Sequence, residues 1–245
     1  MLLRAGTSGW SFKEWKGSFY PKDLPDDGML TYYAGRFPTV EINNTFYRMP
    51  RENVLLDWAS KVPGDFRFAI KASQRITHFG RLKPDEVGDS VEYFTRMTNE
   101  LGERRGPTLF QLPPNLKKDL PRLREFLALL PRGWRSAFEF RHSSWFEDDV
   151  YAALGERDAA LCIADHDEFE TPSVRTATWG YARLHRLTYD AAALAAWRSR
   201  LESLGGEELY VFFKHDETAG SGPTAAQAFT VGSRGSAETR KGEAV

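Results

Sequence analysis

A chain of 245 residues with 33 lysines and arginines against 34 aspartates and glutamates has a formal charge of -1. It therefore has no global pull toward nucleic acid or an anionic membrane, and any polyanion must be met by a local surface. The length suits one domain with one large core, no stretch approaches the ~20 apolar residues of a membrane span, and the start MLLRAGTSGW lacks the charged-then-apolar layout of a signal peptide. The single cysteine, Cys162, sits in the apolar run AALCIAD and cannot form an internal disulfide; a reducing cytoplasm is the expected compartment.

Strand-like runs bounded by Gly, Pro or charged turns fall near residues 3–9, 39–43, 66–71, 107–112, 136–141, 160–165, 180–185 and 208–214. Helical patterns lie between them at 29–37, 52–62, 86–101, 120–130, 148–154 and 190–204, with a weaker one at 223–229. In the third pattern Val87, Val91, Phe94 and Leu101 fall on one face, and in the sixth Leu194, Trp197, Leu201 and Leu204 do the same. The segment HDEFETPSVRTATW at 166–179 has no helical periodicity, so one outer helix is expected to be missing there. From Gly232 onward the residues are small, polar and aperiodic, which predicts a disordered tail without chemistry. Strand alternating with helix predicts an α/β protein, a TIM-type (β/α)8 barrel over residues 1–231, irregular between the sixth and seventh strands.

Nearly every strand-like run ends in a polar side chain: Glu41 and Asn43, Lys71, Gln111, Glu139 and Arg141, Asp165, Arg183 and His185, Lys214. Polar groups at one end of many strands are how a barrel assembles an active site. Side chains two apart share a strand face. Glu41 with Asn43, Glu139 with Arg141, and Tyr181 with Arg183 and His185 are thus expected in the lumen, opposite Val40, Ile42, Phe138, Phe140, Ala182 and Leu184. Three carboxylates (Glu41, Glu139, Asp165) nearly balance four cations (Lys71, Arg141, Arg183, Lys214). The competing reading is a buried ion-pair network that merely fills the barrel; barrel cores are usually filled by branched apolar residues, which favours function at the mouth.

All five histidines (His78, His142, His166, His185, His215) follow predicted strands. With the carboxylates they resemble ligands for a divalent ion such as zinc, but the inward cations oppose one, and His142, His166 and His215 alternate out of phase with Arg141, Asp165 and Lys214. No cofactor is therefore predicted and a metal-free site is favoured, with a divalent metal kept as the alternative. The loop KASQRITHFGRLK gathers Lys71, Arg75, His78, Arg81 and Lys83, a set able to hold phosphate or carboxylate. The first strand leads into GWSFKEWKGSFYP, where Trp10 is best placed to stack on a sugar or base, with Trp145 a second rim candidate. No Walker loop, dinucleotide-type glycine motif, GxSxG elbow, CxxC pair or HExxH is present.

The segments GTSGWSFKEWKGSFYP, VEINNTFYRMP, FRFAIKAS with ITH, LFQLPP, FEFRHSSWF, the strand end at Asp165 and YARLH closely resemble the YecE-like proteins, the family called domain of unknown function 72. The resemblance spans almost the whole chain and implies a TIM-barrel-like fold without an established activity. By motif position it carries over Glu41, Lys71, His78, Gln111, Glu139, Arg141, Asp165, Arg183 and His185. The chain departs from the family at Arg186, where a glycine is usual, and at Phe213, Lys214 and His215, where an aromatic residue and paired asparagines are common. Lys214 therefore inherits no role.

The leading expectation is an enzyme with hydrolase-like acid/base chemistry on an anionic substrate, such as a phosphodiester, nucleotide or phosphorylated sugar. Glu139 would be the general acid or base, partnered by Glu41 or His185 with Asp165 nearby. Lys71, Arg141 and Arg183, with His78, Gln111, Asn43 and Trp10, would bind the substrate. Two further enzyme readings stay open, a glycosidase-like pair of Glu41 and Glu139 and Schiff-base chemistry at Lys71. A non-catalytic module binding nucleic acid or protein through the basic loop is the alternative from another class. No membrane partner is expected, and the sequence leaves the oligomeric state open.

Overall fold

The structure, a computed structural model, describes residues 1–166, 170–186, 188–214 and 221–238, with 232–238 as backbone only. Eight parallel strands, β1 (Leu2–Thr7), β2 (Thr39–Ile42), β3 (Arg67–Lys71), β4 (Arg105–Gln111), β5 (Ser136–Glu139), β6 (Ala160–Asp165), β7 (Gly180–Leu184) and β8 (Glu208–Phe213), form one sheet in the order β1-β8-β7-β6-β5-β4-β3-β2. Outside it pack α1 (Met29–Ala34), α2 (Glu52–Ser60), α3 (Pro84–Thr98), α4 (Leu120–Leu129), α5 (Asp148–Gly155), α6 (Ala191–Ser203) and α7 (Ser221–Glu238). This is the expected (β/α)8 barrel, with bounds close to those read from periodicity. Between β6 and β7 the described residues hold no helix. Thr176 Oγ1 instead accepts from Leu161 N–H at 2.8 Å and donates to Ala159 O at 2.7 Å, laying that crossover against β6. The last helix runs past Gly232, where the tail was expected to begin, to Glu238; residues 239–245 lie outside the described residues, as does His215.

The helices form where local chemistry supports them. In α3, Pro84 stands in the first turn, where a missing N–H costs nothing, and Asp85 and Glu86 meet the positive end of the helix dipole. Asp119 and Asp190 cap α4 and α6 by accepting from Arg122 N–H (3.1 Å) and Ala193 N–H (2.7 Å). The buried faces, Val87, Val91 and Phe94 of α3 and Phe126 of α4, pack on outward-facing strand residues; Phe126 lies 5.1 Å from Phe110, which stacks on Phe138 at 5.2 Å.

The barrel closes at β1 and β2 without a regular ladder, through a single bridge between Ser8 and Glu41. Two residues make this seam. Gly6 lets the backbones touch, since a Cβ there would lie 2.2 Å from Thr39 O. Tyr33 of α1 does the work of ladder bonds: its hydroxyl accepts from Thr7 N–H at 2.8 Å and donates to Thr39 O at 3.1 Å.

Inside, the lower lumen is packed rather than open. Arg4 and Arg135 both bind Glu208 at the N-terminal end. Above them Ala69, Leu109, Ala137, Cys162, Tyr181, Tyr210 and Phe212 fill the centre. Cys162 is fully buried, and burial first, with Glu139 second, pushes its thiol well above the ordinary range. That floor leaves the C-terminal mouth as the open end of the lumen.

Candidate active site at the barrel mouth

One guanidinium organises the mouth. Arg183 of β7 donates from Nη1 to Glu139 Oε2 at 2.6 Å and from Nη2 to Glu41 Oε1 at 3.0 Å, and both carboxylates are fully buried. Each has further donors. Glu41 accepts from Ser8 Oγ (2.8 Å) and Asn43 Nδ2 (3.0 Å) on Oε1, and from the Tyr181 hydroxyl (2.7 Å) on Oε2. Glu139 Oε1 accepts from Gln111 Nε2 at 2.8 Å and Arg141 Nε at 3.0 Å, with His166 Nε2 at 3.4 Å. The network thus links β1, β2, β4, β5 and β7.

Electrostatics follow from this wiring. Burial pushes the Glu139 carboxyl up, but Arg183, with His166, Arg141 and Gln111, outweighs it and holds the group well below the usual carboxylate range. Arg183 moves the other way: burial alone would lower it, and Glu41 and Glu139 raise it. His185 is pushed well below its ordinary value by burial and then by Arg183, so it is neutral. Ser8 Oγ donates its one proton to Glu41, so its 3.1 Å contact with His185 Nε2 requires that nitrogen to carry the imidazole proton. His185 accordingly does not act as a base toward Ser8.

Lys71, at the end of β3, stands apart. Its Nζ donates to Gln111 Oε1 at 2.8 Å and lies 4.1 Å from the centre of the Phe46 ring, and among the described residues it has no carboxylate at ion-pair distance. Burial, followed by the charge of Arg183, lowers it to about 8. His78, on the π-helical turn Arg75–Phe79, packs edge-on to the same Phe46 ring at 4.9 Å; burial and then Lys71 lower its pKa. Arg141, its side chain 34% exposed, and His166, 19% exposed, are members of the network that solvent reaches.

Several expectations need correction. Asp165 is not in the lumen: β6 turns Cys162 and Ala164 inward, so Asp165 points to the outer layer, where Arg186 Nε (2.7 Å) and the Tyr189 hydroxyl (2.9 Å) bind it. His166 takes the inward phase assigned to Asp165. Trp145 is core, 1% exposed, stacked on Phe140 at 4.6 Å and donating to Leu116 O. His142 caps a turn through Ser144 N–H. Trp10 lies off the network, edge-on to Trp58 at 5.0 Å, in a groove of about 550 Å³ that meets the mouth through Ser8 and Asn43. Ser8, absent from the sequence-derived set, was detectable as the residue in phase with Gly6 beyond the first strand. Among the described residues no three His, Cys, Asp or Glu converge as metal ligands, and no helix is long and apolar enough to cross a membrane.

Among the described residues, two buried polar atoms of this cluster, Arg183 Nε and Asn43 Oδ1, have no hydrogen-bond partner. Such orphans are few in native cores, and an ordered water or ion is one way such groups are satisfied.

Residues 4–241 match the model of the family described as "Protein of unknown function DUF72". The UPF0759 protein YecE of Escherichia coli K12 is 36% identical over 134 residues, which are 54% of this chain and 46% of that protein. YunF of Bacillus subtilis 168 is 27% identical over 156 residues, 61% and 54% of the two chains. The chain matches about half the length of these curated relatives. A DUF72 family protein from Thermotoga maritima MSB8 superposes with a TM-score of 0.85 at 27% identity, covering 96% of this chain and 100% of that one. Another, from Enterococcus faecalis V583, shares the fold with a TM-score of 0.79 at 18% identity, covering 94% of each. With the family model spanning nearly its whole length and the same barrel in both solved relatives, the chain belongs to the DUF72 family.

Proposed function

We propose that the mouth is the active site of an enzyme acting on a small anionic substrate, one bearing a phosphate or carboxylate. A single observation carries this reading: Asp165 is turned outward and neutralised by Arg186, so the lumen holds two carboxylates, Glu41 and Glu139, against Arg183, Arg141 and Lys71. The excess of one positive charge read from the sequence is kept when Asp165 and Lys214 are left out, three cations against two carboxylates, and its accessible members are Arg141 and Lys71. An anion there gains charge-assisted hydrogen bonds in a site partly shielded from water.

Glu139 fits a positioning role better than an acid/base role. Its oxygens accept from Arg183, Gln111 and Arg141, and its depressed pKa leaves it no proton to give. The same fact counts against a glycosidase in which Glu139 is the acid. With its pKa lowered to about 8, Lys71 is able to exchange a proton near neutral pH. A longer polyanion is a second reading, favoured by a groove of about 590 Å³ near the mouth in which Arg48, Arg51 and Arg75 outnumber the one carboxylate, Asp89, and stand beside Tyr47 and Tyr93, a pattern suited to single-stranded nucleic acid.

The test is a thermal-shift series with inorganic phosphate at low salt. Wild-type protein is expected to be stabilised in proportion to log concentration. Arg141→Ala is expected to weaken the apparent affinity by roughly ten-fold or more, while a change at the remote Arg124 leaves it unaltered. Equal affinity in wild type and Arg141→Ala would remove the anion site from the mouth.

A further inference from the structure

We propose that Lys71 is a carbonyl-reactive amine, the nucleophile that forms a Schiff base with an aldehyde or ketone substrate whose negative charge is held by Arg141. The inference rests on the anionic-substrate reading and adds to it the reacting group and the functional class of its target.

The geometry sets Lys71 apart from ordinary barrel lysines. A partly buried ammonium normally finds a carboxylate, and two are nearby, but both are occupied by Arg183. Lys71 is left with a neutral acceptor whose orientation is fixed: Gln111 Nε2 donates to Glu139 Oε1, which turns Gln111 Oε1 toward Lys71 Nζ. An amide oxygen stabilises the ammonium far less than a carboxylate does. Two guanidiniums, Arg183 and Arg141, add repulsion to the cationic form, while Glu139, Glu41 and the Phe46 face favour it. A lysine desolvated beside other cations is the arrangement that frees an amine for nucleophilic attack, and its pKa of about 8 agrees.

The step balances without an added oxidant or reductant. The neutral Nζ lone pair attacks the carbonyl carbon; a C–N bond forms and the C=O π pair moves to oxygen, which takes up a proton. Nitrogen loses its proton, the oxygen leaves as water after a second protonation, and the C=N bond remains. Proton exchange with solvent suffices, because Lys71 is at the open end of the barrel. Arg141 meanwhile holds the anionic end.

Pyridoxal 5′-phosphate, an anionic aldehyde, is a suitable probe, with borohydride to fix any imine and peptide mass mapping to locate it. Near pH 8, Lys71 is expected to be labelled at least about ten-fold faster than the exposed Lys22 and Lys117, since its pKa lies well below the ordinary lysine value. Inorganic phosphate should protect it, and pyridoxal without the phosphate should react more slowly. Lys71→Arg should abolish the label on that peptide, with its folding checked independently by a cooperative thermal transition without ligand and by unchanged labelling of Lys22 and Lys117. Labelling of Lys71 no faster than Lys22 and Lys117, with phosphate still stabilising the protein, would overturn the Schiff-base assignment and leave the anion site standing. Selective labelling that is equally fast with pyridoxal, and unprotected by phosphate, would uphold the amine and overturn the anionic half of the proposal.

Discussion

Replacing Arg183 with alanine is expected to destabilise the barrel by about 3–5 kcal/mol, the cost of stranding buried charge by removing its partner. For a chain of this size that is a fall in Tm of roughly 6–20 °C. The deficit arises because Glu41 and Glu139 are fully buried and share the buried Arg183 guanidinium, Glu139 having besides it only the partly exposed guanidinium of Arg141. It should also depend on pH. In the wild type Glu139 is held well below its ordinary pKa, so its contribution is full above the unfolded carboxylate range and is lost as pH falls through the folded value. Without Arg183 the opposing effect of burial is less restrained, and Glu139 moves up. A raised carboxyl stabilises below the unfolded pKa and loses that stability as pH rises through the folded value. The gap between variant and wild type therefore widens from mildly acidic to neutral pH, as denaturant titrations at both would show. A gap that narrows instead would mean the carboxylates are not what Arg183 compensates.

The second large effect lies at the seam. Tyr33→Phe removes the hydroxyl that joins Thr7 N–H to Thr39 O, and each buried polar group left unpaired costs about 1–3 kcal/mol. Gly6→Ala should be worse than Tyr33→Phe, since its Cβ would meet the backbone carbonyl of Thr39, which cannot yield as a flexible side chain could. Urea unfolding should rank wild type above Tyr33→Phe above Gly6→Ala. Wild-type stability in Gly6→Ala would show that β1 and β2 do not approach as closely as described.

The fold was legible in the sequence because period-2 and period-3.6 patterns alternate almost without interruption. The inward phase of β2, β5 and β7 was equally legible: Val, Ile, Phe and Leu on one face leave Glu41, Glu139 and Arg183 for the other. On β6 the rule failed for a physical reason. Its lumen face carries Ala160, Cys162 and Ala164, small residues that make room for the bulky Tyr181 and Tyr210, so no contrast between faces fixed the phase and the terminal Asp165 drew the inward assignment. The seam was not legible, because it joins Gly6, Tyr33 and Thr39 from three elements, none of which shows a local signal for it. Trp145 and the His142 turn looked like rim groups because a loop following a strand can fold back into the core.

The central claim, that the mouth is an anion site built on the Arg183 bridge, is tested most directly by diffraction from crystals soaked in tungstate, an anomalous scatterer with the shape of phosphate. The account predicts an anomalous peak within hydrogen-bond reach of both Lys71 Nζ and the Arg141 guanidinium, lost in Arg141→Ala. Tungstate found only along the Arg48, Arg51 and Arg75 groove, with nothing bound between Lys71 and Arg141, would contradict it.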